Sequence, residues 1–253
     1  MRWGLLNISR MKASRYSPIF GGSFRTFFVA LILLLVAGSP LAASNRYGIT
    51  NRLDSILLLA PPPIEGTPEY EADLETARRV FHGRTPEQEA KALKLQKLVI
   101  FNFAPAIGDF LQPGKFPKTE EFFEKIMKPE IRPSIDRVKN HWDRKRPYQV
   151  DTNLWLGKPE INSSYPSGHS TVGMIQALVL AELFPDKREA ILEIGRDIGW
   201  SRVVIGKHFP TDVHAGRVLA QAIVREMMAS PEFQKDLAEV KAEIRAVLEK
   251  PGK

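Results

Sequence analysis

Helix-start signals recur along the chain from residue 67 onward, and they constrain the fold more than any other feature of the sequence. Thr67-Pro68-Glu69 and Thr85-Pro86-Glu87 each place a capping hydroxyl directly before a proline, which suits the first position of a helix. In the C-terminal half, four segments read as helices: 171–184, 187–205, 212–228 and 231–248. No alternating strand pattern of useful length appears. The sequence therefore predicts an all-α fold, a single helical-bundle domain.

Two further segments carry helical signals that are less regular. Residues 87–103 place apolar side chains three and four positions apart, as a half-buried helix requires. Thr119, followed by Glu120 and Glu121, predicts the start of another helix. Pro129 and Pro133 should break or kink that helix before it reaches Lys139.

The first 43 residues differ in character from the rest of the chain. Arg25 precedes a twelve-residue apolar run, 27–38, and small residues follow it, a pattern typical of a signal peptide. The alternative is an uncleaved anchor, for which the run is short. We expect a signal peptide at 1–43 and one domain at 44–253, located in the bacterial periplasm or secreted. The lead before the apolar run is long, which leaves both Met1 and Met11 as candidate starts.

The formal net charge of +7 does not indicate a nucleic-acid partner. Residues 1–43 contain five cations and no acid, which leaves 31 Lys and Arg against 29 Asp and Glu in the remainder. The chain has no cysteine, which excludes disulfides, thiolate metal sites and cysteine nucleophiles. Residues 44–253 contain no run of 18 apolar residues, so we expect no stable membrane span after processing.

Three clusters of polar residues follow one another along the chain: Lys139 with Arg146, the turn YPSGHS at 165–170, and Ser201-Arg202 with His208 and Asp212. Each cluster alone has a structural explanation: a solvated basic stretch that includes Arg144 and Lys145, an ordinary helix start, or a capped helix. Four fixed residue types at the spacing of the third cluster arise by chance at roughly 1 in 10⁵ start positions. All three in order make chance a poor explanation.

The first role that these clusters suggest is binding of a phosphoryl group. Its transition state spreads negative charge over three oxygens, so catalysis depends on positioned cations and N–H donors. Lys139, Arg146 and Arg202 can supply the cations. Ser167 adds a hydroxyl, and Gly168 lets the backbone N–H groups at a helix start come close to an anion.

The second role is proton and phosphoryl transfer by two histidines. His208 and Asp212 are four positions apart at a helix start, so the carboxylate can fix one ring nitrogen and leave the other free to attack. His169 is then available to protonate the leaving alkoxide. This pairing requires a protonated His169 beside an unprotonated His208, which predicts an acidic to near-neutral optimum.

These residues match the signature of a known superfamily, the type 2 phosphatidic acid phosphatases and vanadium haloperoxidases. Within it the chain resembles the class A bacterial nonspecific acid phosphatases over roughly residues 53–248. The segments that carry the resemblance are LLLAPPP, YPSGHS, ALVLAELFP and SRVVIGKHFPTDVHAGRV. Ser164 stands where many relatives have glycine, Ser170 where threonine is frequent, and the cysteine pair of some relatives is absent.

The resemblance implies an all-helical bundle and hydrolysis of phosphomonoesters of broad range through a phosphohistidine intermediate, without cofactor or metal. His208 would be the nucleophile, Asp212 its orienting partner and His169 the general acid. The phosphate would be cradled by Lys139, Arg146, Ser167, Gly168 and Arg202. The resemblance also favours a homo-oligomer, inhibition by phosphate or vanadate, and phosphotransferase side activity. The physiological ester cannot be read from the sequence.

Four other functions are compatible with parts of this pattern. A vanadate-dependent haloperoxidase would use the same cradle, although the chain is short for that group. A metal site could draw on His169, His208, Asp212 and His214, although residues two apart on a helix point to different faces. A non-enzymatic anion-binding protein would need the cations but not the histidine and carboxylate pair. Membrane-embedded lipid phosphatases would need several hydrophobic spans.

Overall fold

A computed structural model describes residues 45–249 of the chain. Within that range every regular element is helical and no strand occurs, which confirms the all-α prediction. The longer helices are α1 Pro68–His82, α2 Pro86–Lys94, α3 Pro117–Lys125, α4 Arg132–Trp142, α5 Gly168–Leu183, α6 Arg188–Val204, α7 Pro210–Met228 and α8 Pro231–Leu248. The signal-peptide prediction for 1–43 lies outside the described residues and stays a prediction.

Short helical turns connect these helices. They are Ile49–Arg52, Ser55–Leu58, Ile100–Phe103, Ala104–Ile107, Ile126–Ile131, Pro147–Val150, Thr152–Leu154 and Pro185–Lys187. The turn Ile126–Ile131 is π-helical and contains Pro129, so the α-helical pattern is interrupted between α3 and α4, where the prolines predicted a break or kink. None of the helices within 45–249 is long and apolar enough to cross a bilayer.

Helix starts agree with their sequence signals where a hydroxyl precedes a proline. The Thr67 side chain accepts a hydrogen bond from the Tyr70 backbone N–H at the start of α1. Thr85 and Gln88 form a reciprocal capping box at the start of α2. Ser230 caps α8 by accepting from the Phe233 backbone N–H. These local signals therefore determine where the helices begin.

Two of the predicted helices were wrong in their extent. Residues 87–103 do not form one helix, because α2 ends at Lys94 and Val99 is extended before the turn Ile100–Phe103. The apolar side chains are still buried, but from two separate segments. Helix α3 begins at Pro117 rather than at Thr119. Thr119 does not cap it, because its backbone N–H and its hydroxyl both donate to the Glu243 carboxylate at 2.7 Å.

The core is built around α5, which is buried on almost all sides between α6 and α7. The three helices approach closely where glycines face them. A Cβ at Gly195 of α6 would lie 2.6 Å from the Cβ of Ala177, and one at Gly216 of α7 would lie 2.8 Å from the Ser167 carbonyl oxygen. The Ser167 backbone N–H also donates to the Asp212 carbonyl at 3.0 Å. The first turns of α5 and α7 are thereby held side by side.

Candidate active site

A cavity of about 390 Å³ opens beside the first turn of α5 and the last turn of α4. Five of the predicted site residues line it: Lys139, Arg146, Gly168, His169 and His208. The other three, Ser167, Arg202 and Asp212, are buried behind that lining. The structure thus gathers all three sequence clusters around one cavity, and the roles of the individual residues stay predictions.

His208 and Asp212 form a buried pair at the start of α7. The Nδ1 atom of His208 lies 3.3 Å from Oδ2 of Asp212, and both side chains are almost fully buried. Burial and the nearby Arg146 charge hold the pKa of His208 well below its usual value, although Asp212 opposes this. The ring is therefore neutral, and its Nε2 faces Arg146, whose Nη1 lies 3.2 Å away. An unprotonated Nε2 facing the cations is the arrangement that a nucleophile requires.

The Asp212 carboxylate is held by several donors that the sequence analysis did not identify. Ser164 Oγ donates to Oδ2 at 2.5 Å, and the Phe209 backbone N–H donates to the same oxygen at 2.9 Å. Arg144 Nη1 donates to Oδ1 at 2.6 Å. Burial raises the pKa of Asp212, but Arg144 and the hydrogen bonds from His208 and Ser164 outweigh it and leave the pKa well below its usual range. The carboxylate therefore stays ionised.

Arg144 is buried rather than solvated, contrary to the solvated interpretation of the basic stretch around it. Besides Asp212, its guanidinium pairs with Asp73 of α1 at 2.7 Å and stacks over the Phe209 ring, 4.0 Å from the centroid. Asp73 in turn accepts hydrogen bonds from the Thr211 backbone N–H and hydroxyl. Asp73 lies on the apolar face of α1 with Tyr70, Leu74 and Ala77. An acidic residue on an apolar helix face indicates a buried, charged partner, and this signal in the sequence could have predicted the pair.

Lys139 and Arg146 are oriented by backbone carbonyls of one loop. The Lys139 ammonium donates to the carbonyls of Ser163 and Ser164. Arg146 Nε donates to the Asn162 carbonyl at 2.9 Å, and Nη2 donates to the Asn162 side chain at 2.7 Å. Burial and the Arg146 charge lower the pKa of Lys139 to about 7. Within residues 45–249 neither cation has a carboxylate in hydrogen-bond contact, and both face the cavity, where an anion would balance them.

Arg202 is almost completely buried and has one charged partner. Its Nη2 donates to Glu160 Oε1 at 2.8 Å, whereas Nε and Nη1 have no hydrogen-bond partner within residues 45–249. Burial lowers the pKa of Arg202 to about 10, with Arg146 adding to the effect. Glu160 lines the cavity and was not identified from the sequence.

His169 projects from the first turn of α5 into the cavity. Its Nε2 lies 3.0 Å from the Gln96 carbonyl oxygen, so Nε2 carries the hydrogen. Burial, together with the charge of Arg202, lowers the pKa of His169 to about 4. In the ligand-free protein His169 is therefore neutral at mildly acidic pH.

Ser167 and Gly168 form the start of α5. Ser167 Oγ accepts from the Ser170 backbone N–H at 3.3 Å, so this hydroxyl acts as the helix cap. Gly168 lines the cavity, and the nearest atom to a Cβ placed there would be 4.0 Å away, on Ile135. A larger residue would therefore fit at Gly168, but its side chain would block the close approach of an anion to the backbone.

The four residues considered for a metal site do not come together as ligands. Among residues 45–249 no group of three His, Asp or Glu side chains has the arrangement that a metal ion needs. Asp212 is engaged by Arg144, and His214 is exposed on the opposite side of α7. The metal hypothesis thus has no support from the geometry of these four side chains.

Comparison with known proteins is consistent with this geometry. A family model described as the PAP2 superfamily matches residues 131–236, a range that contains every predicted site residue. An acid phosphatase of Zymomonas mobilis is 34% identical over 204 residues, which cover 76% of this chain and 75% of that protein. A non-specific acid phosphatase of Providencia stuartii is 32% identical over 200 residues, which cover 76% of this chain and 81% of that protein.

The similarity to a further relative extends over more of the chain. The non-specific acid phosphatase of Salmonella typhimurium is 29% identical over 231 residues, which cover 87% of this chain and 92% of that protein. The similarity therefore involves most of the helical domain and not the phosphate clusters alone. The chain belongs to the PAP2 superfamily, among the class A bacterial acid phosphatases, and is a phosphatase.

Proposed function

We propose that the protein is an exported enzyme that hydrolyses small phosphomonoesters of broad range through a phosphohistidine at His208, without a metal. The observation that carries the proposal is the position of the His208 ring, with Nδ1 3.3 Å from Asp212 Oδ2 and Nε2 3.2 Å from Arg146 Nη1. Export rests on the sequence pattern of residues 1–43 alone.

The first half of the reaction transfers the phosphoryl group to the enzyme. His208 Nε2 attacks phosphorus, the ester P–O bond breaks, and His169 gives its proton to the departing alkoxide. Asp212 accepts the hydrogen bond from His208 Nδ1–H and stabilises the positive charge that develops on the ring. Lys139, Arg146 and Arg202 balance the charge of the three phosphoryl oxygens.

The second half returns the enzyme to its starting state. His169, now neutral, takes a proton from water, whose oxygen attacks phosphorus while the P–N bond to His208 breaks. Inorganic phosphate leaves and His208 Nε2 is unprotonated again. An alcohol in place of water would give a new phosphomonoester, which is the proposed phosphotransferase side activity.

A phosphate-release assay tests the reaction and its independence of metal. The purified protein should release phosphate from p-nitrophenyl phosphate, and prior treatment with EDTA followed by desalting should leave the rate unchanged within about twofold, because every charge in the proposed mechanism is on a side chain. Zn²⁺ and Mg²⁺ are added back as controls. A rate that falls after EDTA and returns with either ion would contradict the metal-free mechanism.

The pH dependence should differ between free enzyme and complex. The pKa of His169 is about 4 without ligand, and a bound phosphate dianion should raise it, because an adjacent negative charge favours the protonated ring. The descending limb of kcat should therefore lie at higher pH than that of kcat/KM. Imidazole NMR titration with and without inorganic phosphate measures the same shift directly. An unchanged His169 pKa would remove it as the general acid.

A further inference from the structure

Glu160 places a carboxylate in the cavity together with Arg146 and His169. The other carboxylate of the lining, Asp136, pairs with Arg132 at 2.7 Å. Glu160 Oε1 accepts from Arg202 Nη2 at 2.8 Å, and Arg146, His169 and Lys207 are the other positive or titratable groups whose charges act on it. The Glu160 side chain is 36% exposed, whereas that of Arg202 is 1% exposed. A partly exposed carboxylate is thus paired with a buried guanidinium.

Arg202 needs an anion whether or not a ligand is bound. A buried guanidinium without a counter-charge is costly, and two of its nitrogens, Nε and Nη1, already lack hydrogen-bond partners within residues 45–249. Glu160 supplies the missing charge in the ligand-free protein. A phosphate bound to Lys139 and Arg146 would bring a second anion to the same guanidinium, next to the Glu160 carboxylate.

We propose that Glu160 is a specificity-determining residue, an internal anion that the phosphate group of the substrate must displace from Arg202. The inference rests on the proposed function, because it takes Arg202 as part of the phosphate cradle. Displacement makes every bound anion compete with Glu160. An anion with few contacts to the cavity does not overcome that competition, whereas a phosphomonoester that also contacts Lys139 and Arg146 does.

The backbone around Glu160 allows the side chain to move while the loop stays in place. The Glu160 backbone N–H donates to Tyr148 Oη at 3.0 Å, and that hydroxyl lies 3.4 Å from the Glu160 carbonyl oxygen. Tyr148 is buried against Phe81 and Leu154, so this anchor is fixed. Rotation of the carboxylate toward solvent therefore breaks its hydrogen bond to Arg202 and leaves the backbone contacts with Tyr148 in place.

The test is the affinity of Glu160→Gln for inorganic phosphate, measured by isothermal titration calorimetry on the purified protein. We expect phosphate to bind about tenfold tighter than in the wild type, because the competing charge is gone. Without phosphate, the melting temperature of Glu160→Gln should be lower, because Arg202 loses its counter-charge. Glu160→Ala should show the same two changes in the same directions.

Glu89→Gln is the matched control. Glu89 pairs with Arg84 at 2.7 Å and is 34% exposed, close to the exposure of Glu160, but it lies on α2 away from the cavity. The phosphate affinity of the Glu89→Gln variant should equal that of the wild type. Unchanged or weaker phosphate binding by Glu160→Gln, in a wild type that hydrolyses esters, would overturn the role of Glu160. A wild type that neither binds phosphate nor hydrolyses esters would instead overturn the proposed function.

Discussion

Replacing His208 with alanine is expected to lower kcat by roughly 10⁶-fold, as loss of a catalytic nucleophile does elsewhere. The reason is chemical: no other group stands at the position of Nε2, 3.2 Å from Arg146, with its ring fixed by a carboxylate. Binding of phosphate or vanadate should persist, because Lys139, Arg146 and Arg202 remain. Rapid-quench labelling with ³²P-substrate should trap a phosphoenzyme in the wild type and none in the variant.

His214→Ala is the control for this experiment. His214 lies on the same helix as Asp212, but it is exposed and does not line the cavity, so its removal should leave kcat unchanged. Turnover by His208→Ala at a rate near that of the wild type would end the assignment of His208 as nucleophile.

Replacing Arg144 with methionine is expected to lower the free energy of unfolding by about 3–5 kcal/mol, the usual cost of removing one partner from a buried ion pair. Two carboxylates, Asp73 and Asp212, would lose the guanidinium that lies 2.7 Å and 2.6 Å from them. All three side chains are at most 5% exposed, so water cannot replace the lost charge. Urea unfolding followed by circular dichroism measures the change.

Arg137→Met provides the comparison for Arg144→Met. Arg137 pairs with Asp54 at 3.2 Å, and both side chains are at least 40% exposed, so its loss should cost about 1 kcal/mol or less. Equal destabilisation by the two variants would show that the Arg144 network contributes no more than a surface pair. Activity of Arg144→Met should also fall, because Asp212 loses the guanidinium that holds its Oδ1 atom.

The sequence predicted the helical fold because its signals are local. Thr67 and Thr85 specify helix starts through contacts within three residues, and the structure confirms both. For residues 87–103 the same reasoning gave a wrong prediction. Apolar residues spaced as in one helix can also be buried by two separate segments, which here are joined at the extended residue Val99. Thr119 failed because a distant partner, Glu243, takes the hydroxyl that would have capped a helix.

Several residues that line the cavity could be anticipated, whereas partners that reach them across the fold could not. Lys139, His169 and His208 belong to types and spacings that indicate phosphate chemistry, and the structure brings them to one cavity. Ser164 and Glu160 act only through tertiary contacts, with Asp212 and Arg202 respectively, across 48 and 42 positions of chain. Spacing along a sequence carries no record of such pairs.

The cavity has walls of different character, and the hydrogen bond from the Ser167 backbone N–H to the Asp212 carbonyl holds one of them together. One wall is formed at the first turns of α5 and α7, which are joined by that bond and by the close approach of the two helices at Gly216. Another wall includes Glu160 and Asn162, which belong to the largely exposed segment 155–162. Substitutions could accumulate on this second wall, and alter which esters are accepted, without disturbing the histidine pair on the first. Substrate preference could therefore diverge among related enzymes while the catalytic chemistry stays the same.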